Sequence, residues 1–120
     1  MRVLAAADKF KGTASAASIC AAIGHACWDL GIDCVEMPMA DGGEGTLDVL
    51  GGPNRTSVVT GPLGTAVEAE WRLHRGVAVI EMARASGLTL AGGPENNNPL
   101  DATTQGTGEL IDKALNEGAK

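Results

Sequence analysis

MRVLAAADKFKGTASAASICAAIGHACWDLGIDCVEMP, residues 1–38, is the stretch whose reading decides the fold. Met1 to Ala7 reads as a strand that is apolar on both faces, as strands of a parallel sheet are. Asp8 to Thr13 is a polar loop. Ser15 to Leu30 is predicted to be a helix, because Ala16, Ile19, Cys20, Ile23, Cys27 and Leu30 recur at three- and four-residue steps and form one stripe. Gly31 stands where a helix C-terminus needs it. Asp33 to Met37 is a second short strand, and Pro38 ends its pairing. A strand, a helix and a strand joined by a right-handed crossover make the two strands parallel. The class is α/β, with a Rossmann-like or flavodoxin-like start.

The style changes further on. Asp41 to Thr46 is a Gly-rich turn, followed by a short helix from Thr46 to Leu50 that Gly51-Gly52-Pro53 stops. Thr56 to Thr60 is a β-branched strand. Val67, Ala69, Trp71 and Leu73 alternate with Glu68, Glu70, Arg72 and His74, the period of a strand with one wet face. His74-Arg75-Gly76 turns the chain, and Val77 to Met82 is an apolar strand antiparallel to its predecessor. Gly92 to Asn98 is an exposed loop by composition. Thr107 to Asn116 is the last helix, with Leu110, Ile111, Ala114 and Leu115 expected inward and Gly118 as its stop. A border near Pro53 therefore separates residues 1–53, the start of a Rossmann-like domain, from 54–120, part of a second α/β domain.

Leu, Ile, Val and Phe number 25 of 120 residues, there is no Tyr, and 19 Ala hold up the 44% hydrophobic content. That is close to the level below which chains stop folding. Either small residues pack backbone closely, or part of the core lies outside this chain. The net charge of −6 leaves no basic patch for nucleic acid, and three aromatic residues make no base-stacking platform. No apolar run approaches the roughly 20 residues of a membrane helix, and Met1 to Ala7 is too short for a signal peptide. A cytoplasmic chain is the expectation. Cys20, Cys27 and Cys34 lack the spacing of a zinc site or a disulfide framework, and Cys20 and Cys27 share a helical face as small hydrophobes.

Ligands of open α/β sheets bind beyond the carboxyl ends of strands, and three polar loops fall there. In Asp8-Lys9-Phe10-Lys11-Gly12-Thr13 the lysines suit phosphate or carboxylate and the following helix start offers N–H groups. Asp8 could pair with a lysine, orient a hydroxyl or hold Mg²⁺. A plain exposed turn is the alternative. In Asp41-Gly42-Gly43-Glu44-Gly45-Thr46 the glycines allow close backbone approach, and the acids suit a metal or a hydroxyl; a tight turn is the alternative. Neither G-x-G-x-x-G nor a P-loop is present. Thr103-Thr104-Gln105-Gly106-Thr107-Gly108 makes an anion cradle or, more simply, N-capping by Thr104 or Thr107. Glu81, inside an apolar strand, either pairs with Arg84 or faces a ligand cleft. His25 and His74 are isolated and read as solvated.

Several of these segments carry a resemblance. Ala6 to Thr13, Met37 to Thr46, Val59 to Gly64, Ile80 to Leu88 and Asn98 to Ile111 are similar to successive blocks of the bacterial glycerate kinase family. The resemblance implies ATP-dependent phosphorylation of D-glycerate to phosphoglycerate, the 2-phosphate in the members most like this chain, with Mg²⁺. It implies a two-domain α/β fold with the second domain inserted. In its terms Asp8, Lys11 and Asp41 are the catalytic candidates, and Asp8 or Asp41 the candidate metal ligand. Lys9, Gly42, Gly43, Glu44, Glu81, Arg84, Ser86, Thr104, Gly106 and Thr107 are the substrate-binding candidates. Many members carry Ser at the position of Lys9, and the stretch from Leu50 to Asn54 is short. Members are also roughly three times longer, with a Gly-Gly-Ser loop expected beyond Lys120. The rival expectations are a catalytically inactive fragment, alone or with a complementing C-terminal chain or in a homo-oligomer, and a small flavodoxin-like binding module.

Overall fold

The computed structural model describes all residues, Met1–Lys120. It is a mixed α/β chain that divides into two units, Met1–Val49 and Leu50–Lys120.

The first unit holds β1 (Arg2–Ala5), α1 (Ala16–Asp29), β2 (Asp33–Glu36) and α2 (Thr46–Val49). β1 and β2 pair in parallel, with Arg2 opposite Asp33 and Ala5 opposite Glu36. Their ladder runs on past the strands: Met37 N donates to Ala5 O at 2.8 Å and Met39 N to Ala7 O at 3.0 Å. Both strands thus lead side by side into the loops that begin at Asp8 and Asp41. α1 starts where Ser15 Oγ accepts the Ser18 N–H at 3.1 Å, an N-cap bond. It ends in a Schellman motif: Gly31 N donates to Trp28 O, Ile32 N to Cys27 O, and Gly31 takes φ 65°. Ala16, Cys20 and Cys27 are buried, so the two cysteines serve as small hydrophobes on the inner face. Cys27 also neighbours Cys34 on β2, whose thiol pKa is raised by burial first and by Cys27 next. The stripe expected on α1 is narrower than its spacing suggested. Leu30 is 74% exposed, because it is the cap residue and has left the helical path, and Ile23 sits at the rim.

The second unit is an antiparallel meander, β3 (Arg55–Thr60), β4 (Ala66–His74) and β5 (Val77–Val79) in that spatial order, with α3 (Ala83–Ser86) and α4 (Gln105–Asn116). Alternation puts Ala69 and Trp71 of β4 and Ser57 and Val59 of β3 inside. Val59, Ala69, Trp71, Ala85, Leu110 and Ala114 form the core. α4 also closes in a Schellman motif, Gly118 N to Leu115 O and Ala119 N to Ala114 O.

Three expectations for this unit are corrected. The strand predicted from Val77 to Met82 stops at Val79. Glu81 O accepts the Arg84 N–H and Met82 O accepts from Ala85 and Ser86, so the chain turns into α3 instead of extending. An apolar run of six residues does not distinguish the two outcomes. α4 begins at Gln105, before the expected Thr107. Of its four apolar residues only Leu110 and Ala114 are buried; Ile111 and Leu115 are 50% and 59% exposed, because the sheet is too narrow to cover the whole stripe.

The β4–β5 hairpin turns at Arg75 and Gly76, with φ 51° and 80°. Both central residues are left-handed, the geometry that favours Asn-Gly. Arg75→Asn should therefore stabilise the chain by about 0.5–1 kcal/mol, read as a higher melting temperature by circular dichroism.

Candidate active site

Two loops of the first unit converge on one ammonium group. Lys9 N donates to Asp8 Oδ1 at 2.6 Å, which bends the chain so that Lys9 turns back over its neighbour. Lys9 Nζ then lies 3.7 Å from Asp8 Oδ1 and donates to Asp41 Oδ1 at 3.4 Å. Its side chain is only 15% exposed, because its methylenes run along the glycine loop, with Gly45 and Gly43 alongside. Asp41 Oδ1 also accepts the Gly43 N–H at 2.9 Å, an Asx turn. The Gly43 N–H first, and Lys9 second, hold the Asp41 carboxyl below the ordinary carboxylate range. Gly42 takes φ 91°, which lets the turn close tightly. Thr46 Oγ1 donates to Gly43 O at 2.6 Å and starts α2, whose Leu47 is fully buried and anchors the loop.

Lys11 stands elsewhere. It occupies an exposed turn in which Thr13 N donates to Phe10 O at 2.9 Å, with Gly12 at φ 73°. The structure therefore brings Asp8, Lys9, Asp41, Gly42 and Gly43 together, while Lys11 and Glu44 are exposed to solvent. The start of α1 offers less to an anion than expected, because Ser15 already takes the Ser18 N–H.

In the second unit Glu81 is buried and pairs with Arg84 at 3.6 Å; Arg84 also pairs with Glu70. Of its two readings, the ion pair is the one the geometry realises. Ser86 and Thr107 hydroxyls share a 2.9 Å hydrogen bond. The capping expected of Thr104 or Thr107 is corrected. Thr104 holds the N-cap position without a side-chain bond, and Thr103 Oγ1 instead accepts the Gln105 N–H at 3.1 Å. Thr107 lies inside the helix and is turned toward Ser86.

Sequence reasoning missed Glu109 as an organising residue. Its carboxylate accepts the Thr60 N–H and the Thr60 hydroxyl, both at 2.8 Å, and Gln105 Nε2 at 2.8 Å. These bonds, the Thr60 N–H first, hold its pKa below the ordinary range. They tie the first turns of α4 to the end of β3, where Gly106 packs directly on the Thr60 carbonyl. A depressed carboxyl pKa stabilises the fold above the unfolded-state value of about 4.3 and loses that contribution as pH falls through the folded value. Glu109→Gln should lower the melting temperature at neutral pH. The gap from the parent should close on acidification below that range, as followed by melts across pH.

Metal ligation by this set is not favoured. Asp8 and Asp41 each pair with Lys9, whose ammonium takes the space between them. Mg²⁺ is usually held by one or two carboxylates together with substrate phosphates, so these residues as arranged do not form a metal cradle.

The model of the Glycerate kinase family matches residues 3–120, and the chain belongs to that family. It is 42% identical to glycerate 2-kinase of Escherichia coli K12, over 99% of this chain and 33% of that protein. It is 44% identical to glycerate kinase of Bacillus subtilis 168, over 100% of this chain and 33% of that one. It also superposes on a crystal structure provisionally assigned as glycerate kinase 2 of Salmonella typhimurium LT2, with a TM-score of 0.77 and 39% identity, covering 99% of this chain and 34% of that one. The named members are kinases, hence transferases. The chain spans about a third of the length of the curated relatives it matches. No helix is long and apolar enough to cross a membrane.

Proposed function

We propose that this chain supplies the substrate loops of a D-glycerate kinase, which transfers the γ-phosphoryl group of ATP to a glycerate hydroxyl and yields 2-phosphoglycerate. The observation that supports it most is the Asp8–Lys9–Asp41 set, which locks the polar loop from Asp8 to the Gly-rich loop from Asp41 at the ends of parallel strands and leaves Lys11 at an exposed turn. Residues 1–53 are then the start of a Rossmann-like domain and 54–120 part of an inserted one, in a cytoplasmic enzyme.

In this reading Lys9 organises the loops and Lys11 binds the glycerate carboxylate or the transferring phosphoryl group. Asp41 spends Oδ1 on Lys9 and Gly43 and keeps Oδ2 for the substrate hydroxyl. A carboxylate held at low pKa is a weak base, so Asp41 orients the hydroxyl, whose proton passes to Asp8 on the neighbouring loop. The hydroxyl oxygen bonds to the γ-phosphorus as the bond to the ADP oxygen breaks. Such a loose transition state asks mainly for positioning and charge neutralisation. Glu44 completes the polar lining of the first unit in this proposal, and Ser86, Thr104 and Thr107 form a separate polar group on the second unit. Mg²⁺ would supply charge neutralisation with the nucleotide, and no step is assigned to it through these residues.

A second reading, favoured by the length of the relatives, is that the 120-residue chain is inactive alone. An assay with ATP, Mg²⁺ and D-glycerate separates the two states of the protein. The isolated chain should show no sustained turnover, whereas a graft of it in place of the matching third of E. coli glycerate 2-kinase should turn over. An inactive but folded graft would overturn the kinase reading.

A further inference from the structure

Two thiols meet in the first unit, between α1 and β2. The Cys20 thiol, one turn into α1, donates to Ala5 O on β1 at 3.2 Å. Gly24, the next turn, faces Glu36 on β2: a Cβ there would lie 2.0 Å from Glu36 Oε1. Cys27 is a further turn along that face of the helix, and Cys34 is two residues before Glu36, on the same side of the strand. Helix and strand run in opposite directions, so the two steps coincide, and the Cys27 and Cys34 thiols are hydrogen-bonded. The backbone is already closed around the pair, because Ile32 N donates to Cys27 O at 2.9 Å just before β2 starts. Cys27 is buried and Cys34 half-buried, so Cys34 is the thiol that a small reagent reaches. Cys20 is fully buried and already bonded to Ala5.

We infer that Cys27 and Cys34 are a redox-active pair, which a low-molecular-weight disulfide oxidises to an intramolecular disulfide that staples α1 to β2. The Cys34 thiolate attacks one sulfur of the small disulfide, whose S–S bond breaks; one small thiol leaves with the Cys34 proton. The Cys27 thiolate then attacks the Cys34 sulfur, and the second small thiol leaves with the Cys27 proton. Two protein thiols lose two electrons, and the small disulfide gains them. Burial first, and Cys27 next, raise the Cys34 thiol pKa. A thiol held protonated reacts slowly, and where no thiolate is stabilised the disulfide, once formed, resists reduction. The pair sits near the start of β2, whereas the loops that begin at Asp8 and Asp41 lie beyond the opposite ends of the strands. The staple therefore holds the scaffold behind those loops without occupying them, and the inference is independent of the catalytic reading.

The test uses the 120-residue chain and oxidised glutathione. After incubation in the folded state, alkylation in denaturant should find one free thiol, Cys20. Cleavage before Asp29 and Asp33 separates Cys27 from Cys34 in the sequence, so mass spectrometry should find their two peptides joined, with fragmentation placing the bond at Cys27. The oxidised chain should melt about 5 °C or more above the reduced one, because the bond removes freedom from the unfolded state, and dithiothreitol should abolish the difference. Cys34→Ser should keep both remaining thiols free, since Cys27 is only 8% exposed. Three free thiols after oxidation of the parent, a lasting glutathione adduct on Cys34, a bond to Cys20, a cross-link between chains, or an oxidised chain that melts with the reduced one would each overturn the inference. These outcomes are read on the parent chain, so a variant that fails to fold does not shield it.

Discussion

Gly106→Ala should cost the second unit about 3 kcal/mol or more, because the added methyl has nowhere to go. A Cβ at this position would lie 2.1 Å from the Thr60 carbonyl oxygen and 3.0 Å from its carbon. Those are backbone atoms at the end of β3 and cannot rotate aside as a side chain would. Glu109 meanwhile holds α4 against the same residue by two hydrogen bonds, so the helix cannot retreat without breaking them. The gain in helix propensity on replacing glycine, about 1 kcal/mol, is the smaller effect. Gly108 is the control. It lies in the same helix with no atom within 4 Å of its added Cβ, so Gly108→Ala should stabilise by about 0.5–1 kcal/mol. Urea denaturation followed by circular dichroism compares the two. Equal effects would show that α4 is not seated on Thr60 as described.

Trp71→Ala should be at least as damaging, at about 3–5 kcal/mol. Trp71 is fully buried, while Phe10 and Trp28, the other aromatic residues, are 63% and 81% exposed. The core around it is built largely from Val59, Ala69, Ala85, Leu110 and Ala114, which cannot expand to fill the cavity. Its indole N–H donates to Ser57 Oγ at 3.1 Å, so truncation also strands a buried hydroxyl. Trp71→Phe keeps much of the volume and should cost less than the alanine variant. Fluorescence gives a second check: Trp71 should emit at shorter wavelength than Trp28, and a common, water-like emission would contradict the burial.

The first unit was largely legible in the sequence because its signals are local. Ser15 three residues before Ser18, the stripe through Cys20 and Cys27, and Gly31 at the helix end each act within one turn of chain. The loops were legible as loops for the same reason. Which residues meet across them was not. Lys9 and Lys11 flank Phe10 symmetrically in the sequence, and only the Asx turn at Asp41 decides that Lys9 is the one drawn in. The link between Thr60 and Glu109 spans 49 positions and leaves no periodic trace. Periodicity identified the apolar stripe of α4 but could not say which part of it the sheet covers. The run from Val77 to Met82 looked like a strand because its composition is apolar; a single buried carboxylate, satisfied by Arg84 one turn on, breaks it into a strand and a helix.

The central claim is that the turn carrying Lys11, positioned by the Asp8–Lys9–Asp41 set, binds the substrate of a phosphoryl transfer. The most direct measurement is the D-glycerate kinase activity of the graft in E. coli glycerate 2-kinase, with and without Lys11→Ala. Lys11 is exposed, so its removal should leave the melting temperature unchanged while kcat/KM falls by about 100-fold or more, the scale of losing one charge-stabilising group. Activity within about twofold of the parent graft, from a protein that melts at the same temperature, would contradict the account.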